Sequence, residues 1–250
     1  MSESNKRNFI VHGSILAIAG ILVRIIGMLY RIPVVNIIGS EGNGIYGAAF
    51  NIYNIMLVLS SYGLPMAVSK LVSARFTKKR YKSAAKVLRC SLMVAVCTGG
   101  IAALLVFFGA SFIENVIYGG GLPGLAVPLR ILAPTIFLVA ILGVIRGFFQ
   151  GQSTMIPTAV SQILEQIVNA IVSIAAGYGM MKAFASLPDV AAYGAAGSTL
   201  GTAMGALTAV LFMGFLYAVY TPTFNRLKRK DRHTELSLIH ISEPTRRTPI

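Results

Sequence analysis

The sequence predicts an all-α integral membrane protein built as a six-helix transmembrane bundle. Three observations predict it. Of the 250 residues, 55% are hydrophobic and the mean hydropathy is +0.73. Only 12% are charged, about half of the roughly 25% usual for a soluble domain. The charges sit in short blocks between six apolar runs, each long enough for the ~20 residues that a bilayer crossing takes. At that depth no water is present to bond the backbone, so every span must be helical. In a soluble protein a formal charge of +14 would point to nucleic acid. Here it lies in blocks flanking apolar spans and sets membrane topology, so no nucleic-acid partner is expected.

The spans fall at about 9–37, 45–73, 84–113, 125–149, 155–183 and 191–220. The first is too long for a signal-peptide core and lacks a small-residue cleavage site. Pro33, Pro65, Pro134 and Pro157 should begin or kink helices. Gly197, Gly201 and Gly205 recur every four residues, and Gly143 and Gly147 share that spacing. Small residues at this interval let helix backbones approach closely. The stretch Gly39–Gly44 reads as a turn between spans one and two, not as a phosphate-binding loop.

Basic residues orient the bundle. Lys6 and Arg7 precede span one; Arg75, Lys78, Lys79, Arg80, Lys82, Lys86 and Arg89 join spans two and three; Arg226, Lys228, Arg229, Lys230 and Arg232 follow span six. The alternate connections hold little charge: Glu41, Glu114 with Arg130, and Lys182 with Asp189. The expectation is a multi-pass protein of the bacterial plasma membrane with both ends of the spanning region in the cytoplasm.

Ionisable groups inside spans cost several kcal/mol at the bilayer centre, so they are the candidate functional residues. Arg24 and Arg31 lie in span one, seven apart and therefore on one face, about 10 Å from each other. Guanidinium groups suit phosphate or pyrophosphate. Span five carries a polar stripe, Gln162, Glu165, Gln166 and Asn169. Glu165 is open to four roles: carrying a proton, neutralising Arg24, coordinating a cation, or hydrogen-bonding between helices. Asn51 and Asn54 lie on neighbouring faces of span two. Arg146, Gln150 and Gln152 end span four, where a cavity mouth or the membrane interface would hold them.

Cys90 and Cys97 share one apolar run and read as buried free thiols. The chain has no HExxH, Walker loop, nucleophile elbow or paired cysteines, which argues against an enzyme, a metal site or a resident cofactor. From Leu236 the chain reads LSLIHISEPTRRTPI, a string that a transposon-type sequencing adapter can spell codon by codon. Residues 236–250 are therefore read as non-native, and 1–235 as one spanning unit.

Three stretches carry a resemblance: LVRIIGMLYRIPVVNIIGSEGNGIYG, SYGLPMAVSKLVS and IRGFFQGQSTMIPTAVSQILEQIVN. They resemble the polysaccharide-biosynthesis flippases of the MOP (multidrug/oligosaccharidyl-lipid/polysaccharide) superfamily, in the SpoVB-like group related to MurJ-type lipid II flippases. The resemblance covers about residues 5–232. It implies a transporter of two six-helix lobes, of which this chain supplies the N-terminal one. It also implies a lipid-linked saccharide as substrate, with Arg24 and Arg31 matching cavity arginines of the family's first helix. MurJ-type proteins carry a further cavity arginine in the second helix. Here Asn51 and Asn54 occupy that span instead, which leaves the particular saccharide open. The expected partners are the lipid-linked saccharide, membrane lipids and the missing C-terminal lobe. The alternatives are a cation-coupled multidrug exporter of the same superfamily, and a membrane scaffold or polymerase.

Overall fold

The computed structural model describes the backbone of residues 3–231 and the side chains from residue 14 onward. The side chains of Lys6 and Arg7, the residues from Arg232, and the string 236–250 lie outside the described residues. Every element within them is helical: α1 (Glu3–Ser60), α2 (Leu64–Thr77), α3 (Tyr81–Phe112) with a π-helical turn after it (Ile113–Ile117), α4 (Ala126–Gly151), α5 (Ile156–Ala183) and α6 (Val190–Lys230).

Among the described residues, five segments are long and apolar enough to cross a membrane, rather than six separate ones. The difference arises at the first connection. The expected turn at 39–44 is helical except at Gly39, so spans one and two share a single 58-residue segment. Gly39 leaves the helix at φ 70° and ψ −176°, a conformation open almost only to glycine. There the chain folds back. The Arg31 guanidinium carbon sits 6.0 Å from the Tyr46 ring centre, whereas a straight helix would separate the two residues by roughly 22 Å. Thus α1 is a helical hairpin with an N-terminal limb (3–38) and a C-terminal limb (40–60).

The C-terminal limb stops at Ser60, and α2 restarts the same span with Pro65 in its first turn. Proline is suited to that place because it has no N–H to satisfy. The freed Ser60 carbonyl accepts from Thr98 Oγ1 of α3 at 3.0 Å, so the break stays bonded where water is scarce.

Small residues set the packing of the other helices. A methyl group on Gly205 would come within 2.6 Å of the Glu165 carbonyl, and one on Gly201 within 2.6 Å of the Asn169 carbonyl. Gly197 abuts Ala176 in the same way. The four-residue glycine repeat therefore forms the antiparallel seam between α5 and α6, as its spacing predicts. On α4, Gly143 and Gly147 face Pro65, and Gly151 faces Ser69 and Val72 of α2.

Two apolar cores result. One gathers Val34, Ile45, Ala49 and Tyr53 of α1 with Leu129, Leu132 and Ile136 of α4. The other joins Val68 and Val72 of α2 with Phe148 of α4 and Met213 and Phe224 of α6. Around Phe148 the rings of Phe76, Tyr217 and Phe224 pack edge-on, and Phe76 stacks on Phe224 at 6.1 Å. Asp231 Oδ2 accepts from the Lys82 backbone N–H at 2.9 Å, in the first turn of α3. The basic blocks around 75–89 and 226–230, far apart in sequence, therefore share one end of the bundle. At the opposite end Glu114 caps α4, accepting from the N–H groups of Gly124 (2.9 Å) and Ala126 (2.7 Å).

The expectation of buried cysteines is corrected. Cys90 is half-buried and Cys97 is exposed on α3. An apolar position in a spanning helix can face lipid, so apolar surroundings in sequence do not imply burial in protein.

Candidate functional site

The hairpin of α1 encloses a cavity of about 390 Å³. Its walls are Gly27, Tyr30 and Arg31 from the N-terminal limb, and Tyr46, Gly47, Phe50, Asn51 and Asn54 from the C-terminal limb. Gly39 makes this possible, since only a reversal there brings the two limbs together. The glycines leave width, and the aromatic residues give flat apolar faces. Arg31, the one charged residue of the lining, lies over the Tyr46 ring at cation–π distance. Asn51 and Asn54 present amide donors and acceptors from the opposite wall. The site is therefore cationic and hydrogen-bonding within a largely apolar spanning region.

Of the residues expected from sequence, Arg31, Asn51 and Asn54 come together here. Arg24 does not line this cavity. It is exposed on the same limb, two turns before Arg31, and has no ion-pair partner among the described residues.

Glu165 lies elsewhere, and one of its expected roles is corrected. Its carboxylate pairs with Arg146 of α4, Nη2 to Oε2 at 2.7 Å, and not with Arg24. Arg146 Nε also donates to Ser161 Oγ at 2.9 Å, and that hydroxyl donates to the Thr158 carbonyl at 2.8 Å. The reason is one of register. Glu165 and Ser161 are four apart on α5 and share the face that Arg146 meets across the α4–α5 groove. Tyr53 of α1 is close enough to interact electrostatically with Glu165.

Asn169 is buried and engaged within the protein. Its Nδ2 donates to the Tyr30 hydroxyl at 3.3 Å, and its Oδ1 lies 2.9 Å from Ser173 Oγ and 3.4 Å from Thr202 Oγ1. Tyr30 in turn interacts with the Tyr46 hydroxyl. A polar chain thus runs from the cavity wall through α5 to α6. Gln166 packs against Gly27 on the back of the cavity. Gln162 is half-buried beside these groups. The Gln152 side chain donates to the Phe148 carbonyl at the end of its own helix, at 3.4 Å.

Sequence reasoning missed Tyr30, Tyr46 and Phe50. A signal was present, since Tyr46, Phe50 and Tyr53 repeat at helical spacing and Tyr30 adjoins Arg31. Among the described residues no three His, Cys, Asp or Glu side chains gather as a metal site requires.

An all-helical bundle of long apolar segments enclosing a cationic cavity describes a multi-pass membrane protein. The chain belongs to the polysaccharide biosynthesis protein family, which matches residues 10–238. It is 34% identical to Lipid II flippase MurJ of Bacillus subtilis over 176 residues, 68% of this chain and 32% of that protein. It is 30% identical to Stage V sporulation protein B of the same organism over 247 residues, 96% of this chain and 46% of the relative. The uncharacterized membrane protein YabM, also of B. subtilis, is 30% identical over 213 residues, 85% of this chain and 38% of its own length. The chain spans less than half the length of each of these curated relatives. No solved structure matches it.

Proposed function

We propose that this chain is the N-terminal lobe of a flippase that carries a lipid-linked saccharide across the bacterial plasma membrane for polysaccharide or cell-wall synthesis. The observation that carries the reading is the hairpin cavity, with Arg31 as its one charge and Asn51 and Asn54 opposite. A lipid-linked saccharide has an anionic phosphate or pyrophosphate and a hydroxyl-rich head that hydrocarbon excludes. Arg31 would bind the anion through its planar fork, and the amides of Asn51 and Asn54 would accept and donate to sugar hydroxyls. The lipid tail would stay in the bilayer. No bond is made or broken, so the function is transport and not catalysis.

A second lobe would complete the cavity wall, and rocking of one lobe against the other would expose the head to each side in turn. Both ends of the spanning region would lie in the cytoplasm, where the clustered basic end of the bundle belongs. With the inside negative, the membrane potential favours outward movement of an anion by about 2.3 kcal/mol per charge per 100 mV. A cationic cavity repels cationic drugs, which disfavours the multidrug reading.

The test is reconstitution of the two-lobe protein in vesicles with a fluorescent lipid-linked saccharide. Translocation that Arg31→Ala abolishes is the expected result. Export of organic cations with no movement of the lipid would overturn the proposal.

A further inference from the structure

The ion pair between α4 and α5 is built in a way that plain helix anchoring does not require. A guanidinium carries five N–H donors in a planar fork. Arg146 engages two of them, Nε to Ser161 and one Nη2 hydrogen to Glu165. Glu165 answers with a single oxygen, although a two-pronged pair is the stronger arrangement. The side chains keep 14% and 25% of their exposure, so an opening reaches both. Although α4 and α5 are consecutive, their backbones approach each other little, and the pair spans a groove between them. Arg146 stands about 8 Å along the axis from the end of α4 at Gly151. The adjacent Gly147 rests on Pro65, where the second span is interrupted.

We infer that Arg146 is an anion-binding residue, held by Glu165 until a phosphate or pyrophosphate group competes for its unused donors. It stands apart from the Arg31 cavity and rests on the flippase reading only for the source of the ligand. The exchange is one of partners. A phosphate oxygen takes the donors that Glu165 leaves free and then displaces the carboxylate, so the guanidinium is never left uncompensated in the groove. Glu165 sets the affinity. It keeps the site from holding its ligand tightly.

The test is equilibrium binding of inorganic pyrophosphate to the full chain in nanodiscs of zwitterionic lipid. Glu165→Gln removes the competitor and should lower the apparent Kd about tenfold, a gain that misfolding cannot produce. Adding Arg146→Gln to that variant should cancel the gain. Unchanged affinity in Glu165→Gln overturns the inference, as does a gain that survives loss of Arg146. Repeating the titration of Glu165→Gln with phosphatidylglycerol in the nanodisc separates the ligand sources. Competition by the lipid assigns the site to headgroups, and indifference assigns it to anions arriving from water. Because no transport is measured, failure of the flippase reading leaves this result standing, and the reverse also holds.

Discussion

Asn169 on α5 donates a 3.3 Å hydrogen bond to the hydroxyl of Tyr30 on α1, across 139 residues of sequence. The same amide meets Ser173 and, on α6, Thr202. One buried side chain thus ties the cavity wall to the seam between α5 and α6. In hydrocarbon such a group has no water to turn to, so its partners define where α1 sits.

Asn169→Ala should therefore destabilise the chain. Interhelical hydrogen bonds in membranes contribute about 0.6 kcal/mol each on average; two are lost here, to Tyr30 and Thr202, with a third bond to Ser173 inside α5, so a cost of about 1–2 kcal/mol is expected. Tyr30→Phe removes one bond and should cost less. Unfolding equilibria in detergent measure both, and equal costs for the two variants would contradict this account of the network.

Gly39→Ala should be damaging without touching any neighbour. Nothing lies within 4 Å of the position its methyl group would take. The cost is conformational, about 1–3 kcal/mol, because the backbone there suits glycine almost alone. Gly39→Asn should not rescue it, since asparagine tolerates the left-handed helical region and not an extended ψ. Thermal unfolding of the two variants is the check.

Gly201→Ala should destabilise the chain, and Gly214→Ala should not. Alanine is favoured over glycine in a helix by about 1 kcal/mol. At Gly214 the added carbon meets open space, so that preference shows as a gain or as no loss. At Gly201 it strikes the Asn169 carbonyl, and overpacking of this kind costs about 1–3 kcal/mol. The measurement is the unfolding midpoint of each variant against the parent chain.

Much of this architecture was legible in the residues. Span positions follow from hydropathy, and the α5–α6 seam from Gly197, Gly201 and Gly205. The fold-back was legible only in part. Gly39–Gly44 looked like a loop because it holds three glycines, yet the chain is helical on both sides of Gly39. Helix in an apolar setting prevails over local propensity wherever backbone groups would otherwise go unbonded. The site was legible by chemistry and not by address. Arg24 and Arg31 share a face, but only the packing of the second limb decides that Arg31 lines the cavity. Glu165 and Arg146 both stood out in the sequence, while their pairing did not, because helix-to-helix register leaves no trace in spacing along one chain.

Binding should rank the two arginines of α1. Arg31 lines the cavity and Arg24 lies two turns away on the surface. The most direct measurement is the affinity of a lipid-linked pyrophosphoryl saccharide for the chain in nanodiscs, compared among the parent, Arg31→Gln and Arg24→Gln. The hairpin cavity as the substrate site predicts at least a tenfold loss for Arg31→Gln, or about 1.4 kcal/mol or more, and a smaller loss for Arg24→Gln. Undiminished binding in Arg31→Gln, or a larger loss from Arg24→Gln, would contradict it.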